Sequence, residues 1–256
     1  MDPLKAAAAV DGGALAITGG GYGVATLLGK EPSKEHIADK GTEGNLSYEF
    51  QHHFVDASDG KNDSWWNWSY KSRYPSDTSR LSTEFKTGVS SGSKLKSKCS
   101  TAYSQAVKTS IHSDTKEANK TQYEKDIWTF CSIEGKKPLT IEEAGVEENE
   151  FRDGQTNASK LGGTKKSSLI STKHKGNDKF WEIQAQAFFE TGGLGSRATV
   201  DGAGFKELST SAVTYASKKT TSELKEACKN RYAEDVETNK EKETLRFCSL
   251  QGGKQE

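Results

Sequence analysis

Apolar residues recur at every fourth position in two segments of the chain. The first segment contains Leu95, Cys99, Tyr103 and Val107, and the second contains Leu224, Cys228, Tyr232 and Val236. This spacing places the four side chains on one face of an α-helix. Each segment is therefore predicted to form a helix that buries its apolar face together with its cysteine.

A second helix is predicted downstream of each of these segments, at residues 123–131 and 240–248, with Gly135 and Gly252 as terminators. The result is two helical hairpins, against which aromatic residues of earlier elements pack. The predicted structural aromatics are Trp65, Trp66, Trp128, Trp181, Tyr103 and Tyr232. The predicted fold class is mainly α. Because the apolar residues of "FWEIQAQAFF" (180–189) also suit a strand, α+β is the alternative.

The two cysteine-containing segments belong to an internal duplication. "LKSKCSTAYSQAV" (95–107) aligns without gaps on "LKEACKNRYAEDV" (224–236), and "WTFCSIEGKK" aligns on "LRFCSLQGGK". Upstream, "NDSWW" (62–66) pairs with "NDKFW" (177–181), so three landmarks recur in the same order. Such a recurrence indicates two copies of one structural unit.

The duplication predicts two small helical domains joined by a linker. The acidic stretch "EEAGVEENEFRDGQTNAS" lies between the copies and has few residues that could form a core. The predicted organisation is a leader at 1–30, a spacer at 31–44, a first repeat domain at 45–143, a linker at 144–159 and a second repeat domain at 160–256.

Each copy contains two cysteines, one in each predicted helix. An ancestral unit had to be stable alone, so disulfides within each unit are predicted: Cys99–Cys131 and Cys228–Cys248. Closing loops of this length contributes about 3 kcal/mol. On this basis, loss of Cys131 is expected to loosen the first domain and leave the second intact. The alternative is four reduced cysteines buried as small apolar residues, which suits a chain that is not exported.

The N-terminal segment is uncharged from residue 12 to residue 29, between Lys5 and Lys30. That length is just sufficient for a transmembrane helix of about 27 Å. The leading interpretation is an uncleaved membrane anchor, although its glycines lower helix propensity. The alternatives are a cleaved signal peptide and a soluble leader.

The glycines of the leader also resemble the cofactor-binding motif of short-chain dehydrogenases. "TGGGYG" (18–23) resembles the TGxxxGxG signature, and Tyr215 and Lys219 reproduce a YxxxK spacing. That motif requires a preceding strand and a βαβ unit. No apolar strand precedes these glycines, and no series of Val/Ile-rich runs follows them. A dehydrogenase is therefore only a remote alternative, and no enzyme activity or cofactor is predicted.

Composition restricts the core and the partners. Hydrophobic residues make up 32% and charged residues 28% of the chain, with a mean hydropathy of −0.80, which disfavours a single extensive core. The 36 basic residues balance the 36 acidic residues. No global basic field is available to bind nucleic acid, so no nucleic-acid partner is predicted.

Three further groups of residues suggest binding sites, and each has a simpler interpretation. Exposed tryptophans at 65, 66 and 68 could stack on sugars or bases, but burial in a core is favoured. His52 and His53 are predicted to be a solvated surface pair rather than metal ligands. "DASDGKND" (56–63) places Val55 and Ala57 where a calcium loop needs ligands, so it is predicted to be a turn.

The leader and the cysteine segments together resemble a family of uncharacterised paralogous proteins of haemotropic mycoplasmas. "GALAITGGGYGVATLLG" resembles their leader, and "LKSKC…YEKDIWTFCSIEGKKPLTIEE" resembles their helix-Cys, aromatic-Cys ending. The resemblance implies a surface protein whose biochemistry is unknown, and it brings no catalytic residues.

The predicted function is adhesion or antigenic display by a membrane-anchored protein exposed on the extracellular side. Its partners are the membrane, through the N-terminal segment, and a host or extracellular protein. The alternative is a soluble cytoplasmic scaffold or regulatory protein. Asn-linked glycosylation sequons, such as the one at Asn45, keep a secreted eukaryotic module as a minor alternative.

Overall fold

The computed structural model describes residues 29–112, 117–145, 159–210 and 218–253. Within them the fold is mainly α, as predicted. Pairing between extended segments is limited there to isolated bridges. Residues 1–28 of the predicted leader and most of the predicted linker lie outside the described residues.

The first half of the molecule, residues 31–138, contains three main helices. The tryptophan helix spans Asp63–Arg73, and the two cysteine helices span Gly92–Tyr103 and Ala118–Cys131. Short helices at Leu46–Phe50 and Thr83–Lys86 and a π-helical turn at Val107–Ile111 connect them.

The second half, residues 139–253, has a similar order of elements. Its main helices span Asp178–Phe189, Lys218–Tyr232 and Thr238–Cys248. Shorter α-helices span Ile141–Ala144, Leu161–Thr164 and Phe205–Thr210, and 3₁₀ turns span Lys175–Asn177 and Leu194–Arg197. "FWEIQAQAFF" is helical, so the strand alternative is wrong for this segment.

Local sequence signals explain several helix boundaries. The Ser91 hydroxyl caps the first cysteine helix by accepting a hydrogen bond from the Lys94 amide at 3.3 Å. Thr140 and Glu143 form a reciprocal capping box. The second cysteine helix of each half ends at its cysteine. The serine that follows, Ser132 or Ser249, donates its hydroxyl to a carbonyl of the last helical turn. Gly135 and Gly252 follow in left-handed turns three residues beyond these serines, rather than ending the helices themselves.

The first cysteine helix of each half ends earlier than its apolar spacing predicts. They stop at Tyr103 and Tyr232, so Val107 begins the π-helical turn and Val236 lies beyond the helix. Val107 is still buried, whereas Val236 is 45% exposed. The prediction that Val236 belongs to a buried helical face is therefore wrong.

Backbone hydrogen bonds recur at equivalent positions of the two halves. The Val55 amide donates to the Cys131 carbonyl, and the Ile170 amide donates to the Cys248 carbonyl. Likewise, Ile37 bonds to Phe54 and Ile141 bonds to Leu169.

The segment before each helical bundle therefore takes part in that bundle. Residues 35–37, in the predicted spacer, bond to residues 54–56. Residues 139–141, which the predicted division assigns to the first domain, bond instead to residues 169–171 of the second half.

The buried apolar residues of both halves form one continuous core. The prediction against a single extensive core, made from composition, is therefore wrong. Large aromatic side chains explain the difference, because each buried one removes roughly 150–250 Å² of surface from water. Trp128 of the first half lies 6.1 Å from Phe180 of the second, measured between ring centroids.

Gly92 allows the first cysteine helix to approach the tryptophan helix closely. A Cβ atom at this position would lie 2.6 Å from the Asn67 backbone nitrogen and 2.7 Å from its Cα. We expect Gly92→Ala to lower the free energy of unfolding by about 1–3 kcal/mol, because backbone atoms cannot rotate away from the clash. Urea denaturation measures this loss.

Gly60→Ala is the matched control for this prediction. The nearest atom to its added Cβ would be a flexible Asp63 carboxylate oxygen at 3.5 Å. Its effect is expected to stay within about 0.5 kcal/mol. Equal effects of the two substitutions would refute the proposed close contact.

Candidate functional site

Each half contains one buried disulfide between its two cysteine helices. Cys99 and Cys131 are bonded with their Cα atoms 5.8 Å apart, as are Cys228 and Cys248. All four sulfur-bearing side chains are fully buried. Because these are the only cysteines of the chain, no thiol is available as a nucleophile or a metal ligand.

A buried tyrosine lies beside each disulfide. The Tyr103 hydroxyl donates to the Val55 carbonyl at 2.8 Å, and the Tyr232 hydroxyl donates to the Ile170 carbonyl at 2.9 Å. Burial raises the pKa of Tyr103 well above its ordinary value. These tyrosines fix the extended segment of each half to its helical hairpin.

The four predicted core tryptophans are all buried. Trp65, Trp66, Trp128 and Trp181 are each no more than 1% exposed. The indoles of Trp66 and Trp181 donate to backbone carbonyls at 3.1 and 3.0 Å. Trp68 is only half-buried, but the Arg73 guanidinium lies 4.8 Å from its ring centre. These rings therefore serve packing rather than an open stacking surface.

A histidine–glutamate pair lies buried between the two halves. The His53 Nδ1 atom is 2.5 Å from Glu134 Oε1, and Nε2 is 2.8 Å from Gln184 Oε1. His53 is 1% exposed, Glu134 5% and Gln184 2%. His53 and Glu134 belong to the first half and Gln184 to the second, so this cluster joins the halves through polar contacts.

The hydrogen bonds of Gln184 determine how the imidazole is protonated. The Gln184 amide nitrogen donates to the Phe247 carbonyl at 2.9 Å, which directs its oxygen toward His53. An oxygen can only accept, so His53 Nε2 must carry a hydrogen. Nδ1 faces a carboxyl oxygen, and that contact also requires one hydrogen.

Aromatic rings shield this pair from water. The Phe180 ring stacks on the His53 imidazole with centroids 4.5 Å apart and an interplanar angle of 10°. Phe50 and Trp128 approach the imidazole edge-on, at 6.2 and 5.7 Å. Low local polarity strengthens the hydrogen bonds within the cluster and makes an unpaired charge there costly.

A second histidine–glutamate pair also lies at the contact between the halves. His112 Nδ1 is 2.9 Å from Glu124 Oε1, and Nε2 is 3.0 Å from the Ser168 hydroxyl of the second half. Lys137 Nζ lies 3.8 Å from the other Glu124 oxygen. Both His112 and Glu124 are 3% exposed.

Charged residues at the edge of the contact add further links between the halves. The buried Glu49 carboxylate accepts hydrogen bonds from the backbone amides of Gly44 and Gly253, at 3.2 and 3.0 Å. Arg246 pairs with Glu43 at 2.9 Å. Arg197 lies 4.1 Å from the ring centre of Tyr48. The halves are thus joined by apolar, polar and ionic contacts.

The buried histidine cluster is the feature that the sequence did not predict. His53 is buried, so its assignment to a solvated surface pair is wrong. The apolar residues Phe50, Phe54 and Val55 around it were a signal for burial. Glu134 and Gln184 lie 81 and 131 residues from His53 in sequence, so no local spacing could have connected them.

The described residues contain no arrangement that suits a metal or the dehydrogenase chemistry. No group of three His, Cys, Asp or Glu side chains able to hold a metal occurs among them. They also lack the parallel sheet on which a dehydrogenase binds its cofactor. The "TGGGYG" motif and Tyr215 lie outside the described residues. The Asp56 and Asp59 carboxylates accept bonds from nearby backbone amides, consistent with a turn.

One open cleft lies away from the histidine cluster. It has a volume of about 430 Å³, and its lining includes Glu223, Glu226, Arg231 and Glu234. No histidine, cysteine or lysine lines it. This cleft therefore lacks an evident nucleophile–base pair.

The chain matches no protein-family model, no curated protein and no solved structure. Among the described residues, no helix has both the length and the apolar character needed to cross a bilayer.

Proposed function

We propose that this protein is a membrane-anchored surface protein whose disulfide-bonded body acts in adhesion or antigenic display without catalysing a reaction. Its N-terminal segment attaches it to the membrane, and its body faces the extracellular side. The partner is a host or extracellular protein rather than a nucleic acid. The balanced charge of the chain supports the last point.

The two buried disulfides are the observation that carries this proposal. Disulfides persist in oxidising environments and are rare in the cytosol, where thiols are kept reduced. Each disulfide joins two helices of its own half, at separations of 32 and 20 residues. This arrangement stabilises the body of a protein that works outside the reducing cytosol.

The proposal predicts protected cysteines in protein taken from the cells that express it. Denatured protein should react with an alkylating reagent at none of its cysteines before reduction and at all four afterwards. Mass spectrometry of the alkylated chain measures this. Four reactive thiols before reduction would favour the cytoplasmic scaffold instead.

Surface exposure is tested on the same intact cells. Protease added outside should remove an epitope within the body, together with known surface markers. A variant lacking residues 2–28 serves as the control and should leave the membrane fraction. An epitope that survives while the surface markers disappear would contradict extracellular display.

A further inference from the structure

We propose that the open cleft of the second half binds a ligand that carries both a carboxylate and a basic side chain, as the C-terminal lysine of a peptide does. Arg231 binds the carboxylate, and glutamates that line the same cleft bind the basic group. The inference rests on the proposed function only for the source of the ligand, which is then the C-terminus of an extracellular partner protein.

Arg231 is a buried cation with an incomplete set of partners. The side chain is 2% exposed. Its Nε atom donates to the Thr244 hydroxyl at 3.3 Å, and Nη1 pairs with the Glu234 carboxylate. Nη2 is buried and has no hydrogen-bond partner. A buried donor without an acceptor is costly, so the cleft has a place for one more acceptor beside Nη2.

The Glu234 carboxylate occupies the place that a ligand carboxylate would take. Its side chain is 46% exposed and lies in the turn after the helix Lys218–Tyr232, so it can rotate toward water. Glu234 contacts Nη1, whereas Nη2 stays unpaired. A carboxylate placed across both terminal nitrogens of the planar guanidinium would pair with Nη1 and Nη2 together. Replacement of Glu234 by such a ligand therefore satisfies the remaining donor.

The other groups of the cleft explain why the ligand must also be basic. The charged residues that line it are Glu223, Glu226, Glu234 and Arg231. Negative charge exceeds positive charge, so a simple anion is disfavoured and a ligand with a cation close to its carboxylate is favoured. Leu208 and Ala227 provide apolar contacts for the aliphatic stem of a basic side chain. The cleft volume of about 430 Å³ is within the range of small-ligand pockets.

The first half provides an internal comparison, because it has an apolar pair where the second has Arg231 and Thr244. In the aligned cysteine helices, Ala102 occupies the position of Arg231. In the aligned segments "DIWTFC" (126–131) and "ETLRFC" (243–248), Ile127 occupies the position of Thr244. Ala102 and Ile127 are both fully buried. The repeated unit therefore packs without a charge at this position, and the fold itself does not require Arg231.

The test measures binding of three small probes to the purified, disulfide-bonded chain by calorimetry and amide NMR. Nα-acetyl-L-lysine carries both groups, its amide derivative lacks the carboxylate, and Nα-acetyl-L-norleucine lacks the ammonium. The first probe should bind saturably and shift amides of residues 224–234. The other two should bind at least about tenfold more weakly, because each loses a charge-assisted contact. Equal binding of all three, or no binding, would overturn the proposal. Tighter binding of free L-lysine than of its acetyl form would overturn a peptide C-terminus as the source.

Two variants locate the binding in the cleft. Arg231→Ala/Thr244→Ile copies the apolar pair of the first half and should weaken binding of Nα-acetyl-L-lysine at least about tenfold. Glu226→Gln should also weaken it, whereas Glu182→Gln removes the same charge from an exposed position outside the cleft and should not.

Undiminished binding by the double variant would contradict the role of Arg231. If that variant does not fold, the three probes and the Glu226→Gln comparison decide the question. These measurements use purified protein, so their failure would leave the cysteine and surface-exposure results on cells unchanged.

Discussion

Removal of the first disulfide is expected to lower the free energy of unfolding by about 3–4 kcal/mol. The Cys99→Ser/Cys131→Ser double variant opens a loop of 32 residues, and the entropy gained by the unfolded chain falls in this range for a loop of that length. Because the two halves share one core, we expect the loss to appear in a single transition of the whole molecule. Urea denaturation followed by circular dichroism measures it.

The second disulfide provides the matched comparison. Cys228→Ser/Cys248→Ser opens a loop of 20 residues, for which the loss is smaller by only about 0.4 kcal/mol. A loss below about 1 kcal/mol for both double variants would contradict the stabilising role of the crosslinks. Two separate transitions, with only the first half affected by loss of its disulfide, would contradict the shared core.

Truncation of Trp128 is expected to have an effect of similar size. Trp128→Ala should lower the free energy of unfolding by about 3–5 kcal/mol, because it removes the largest ring of a buried cluster. The Trp128 ring centre lies 4.8 Å from that of Phe54 and 5.7 Å from that of His53. Trp128 also contacts Phe180 of the second half, so its truncation should weaken the packing between the two halves as well.

Trp68→Ala is the control for this truncation, because it removes the same side chain from a half-buried position. Its loss should be clearly smaller, since less apolar area leaves the core. Thermal and urea denaturation of both variants measure the difference. Equal losses at the two positions would show that burial of Trp128 between the halves contributes nothing beyond the size of its ring.

The sequence by itself determined the cysteine helices and their partners. The fourfold apolar spacing identified the buried faces of Leu95, Cys99 and Tyr103, and the structure buries all three. The repeated landmarks indicated that each disulfide lies within its own unit. Both inferences use information that is local or repeated, because a helix reports its buried face through the period of its apolar residues.

Helix ends were predicted less well than helix faces. The spacing continued to Val236, whereas the helix ends at Tyr232 and Val236 is exposed. An apolar residue at the right interval cannot distinguish a continuing helix from a turn. Polar contacts beyond the cysteines, such as that of Ser249 with the Leu245 carbonyl, decided how the last helix ends.

Only the tertiary structure decided how the halves meet. His53, Glu134 and Gln184 lie far apart in sequence, and their contact depends on the shape and orientation of two packed surfaces. The pairing of residues 139–141 with residues 169–171 of the second half likewise depends on contacts between segments distant in sequence. Periodicity shows which face of an element is buried, but it does not specify which distant face covers it. Complementary packing and the pairing of buried polar groups make that selection.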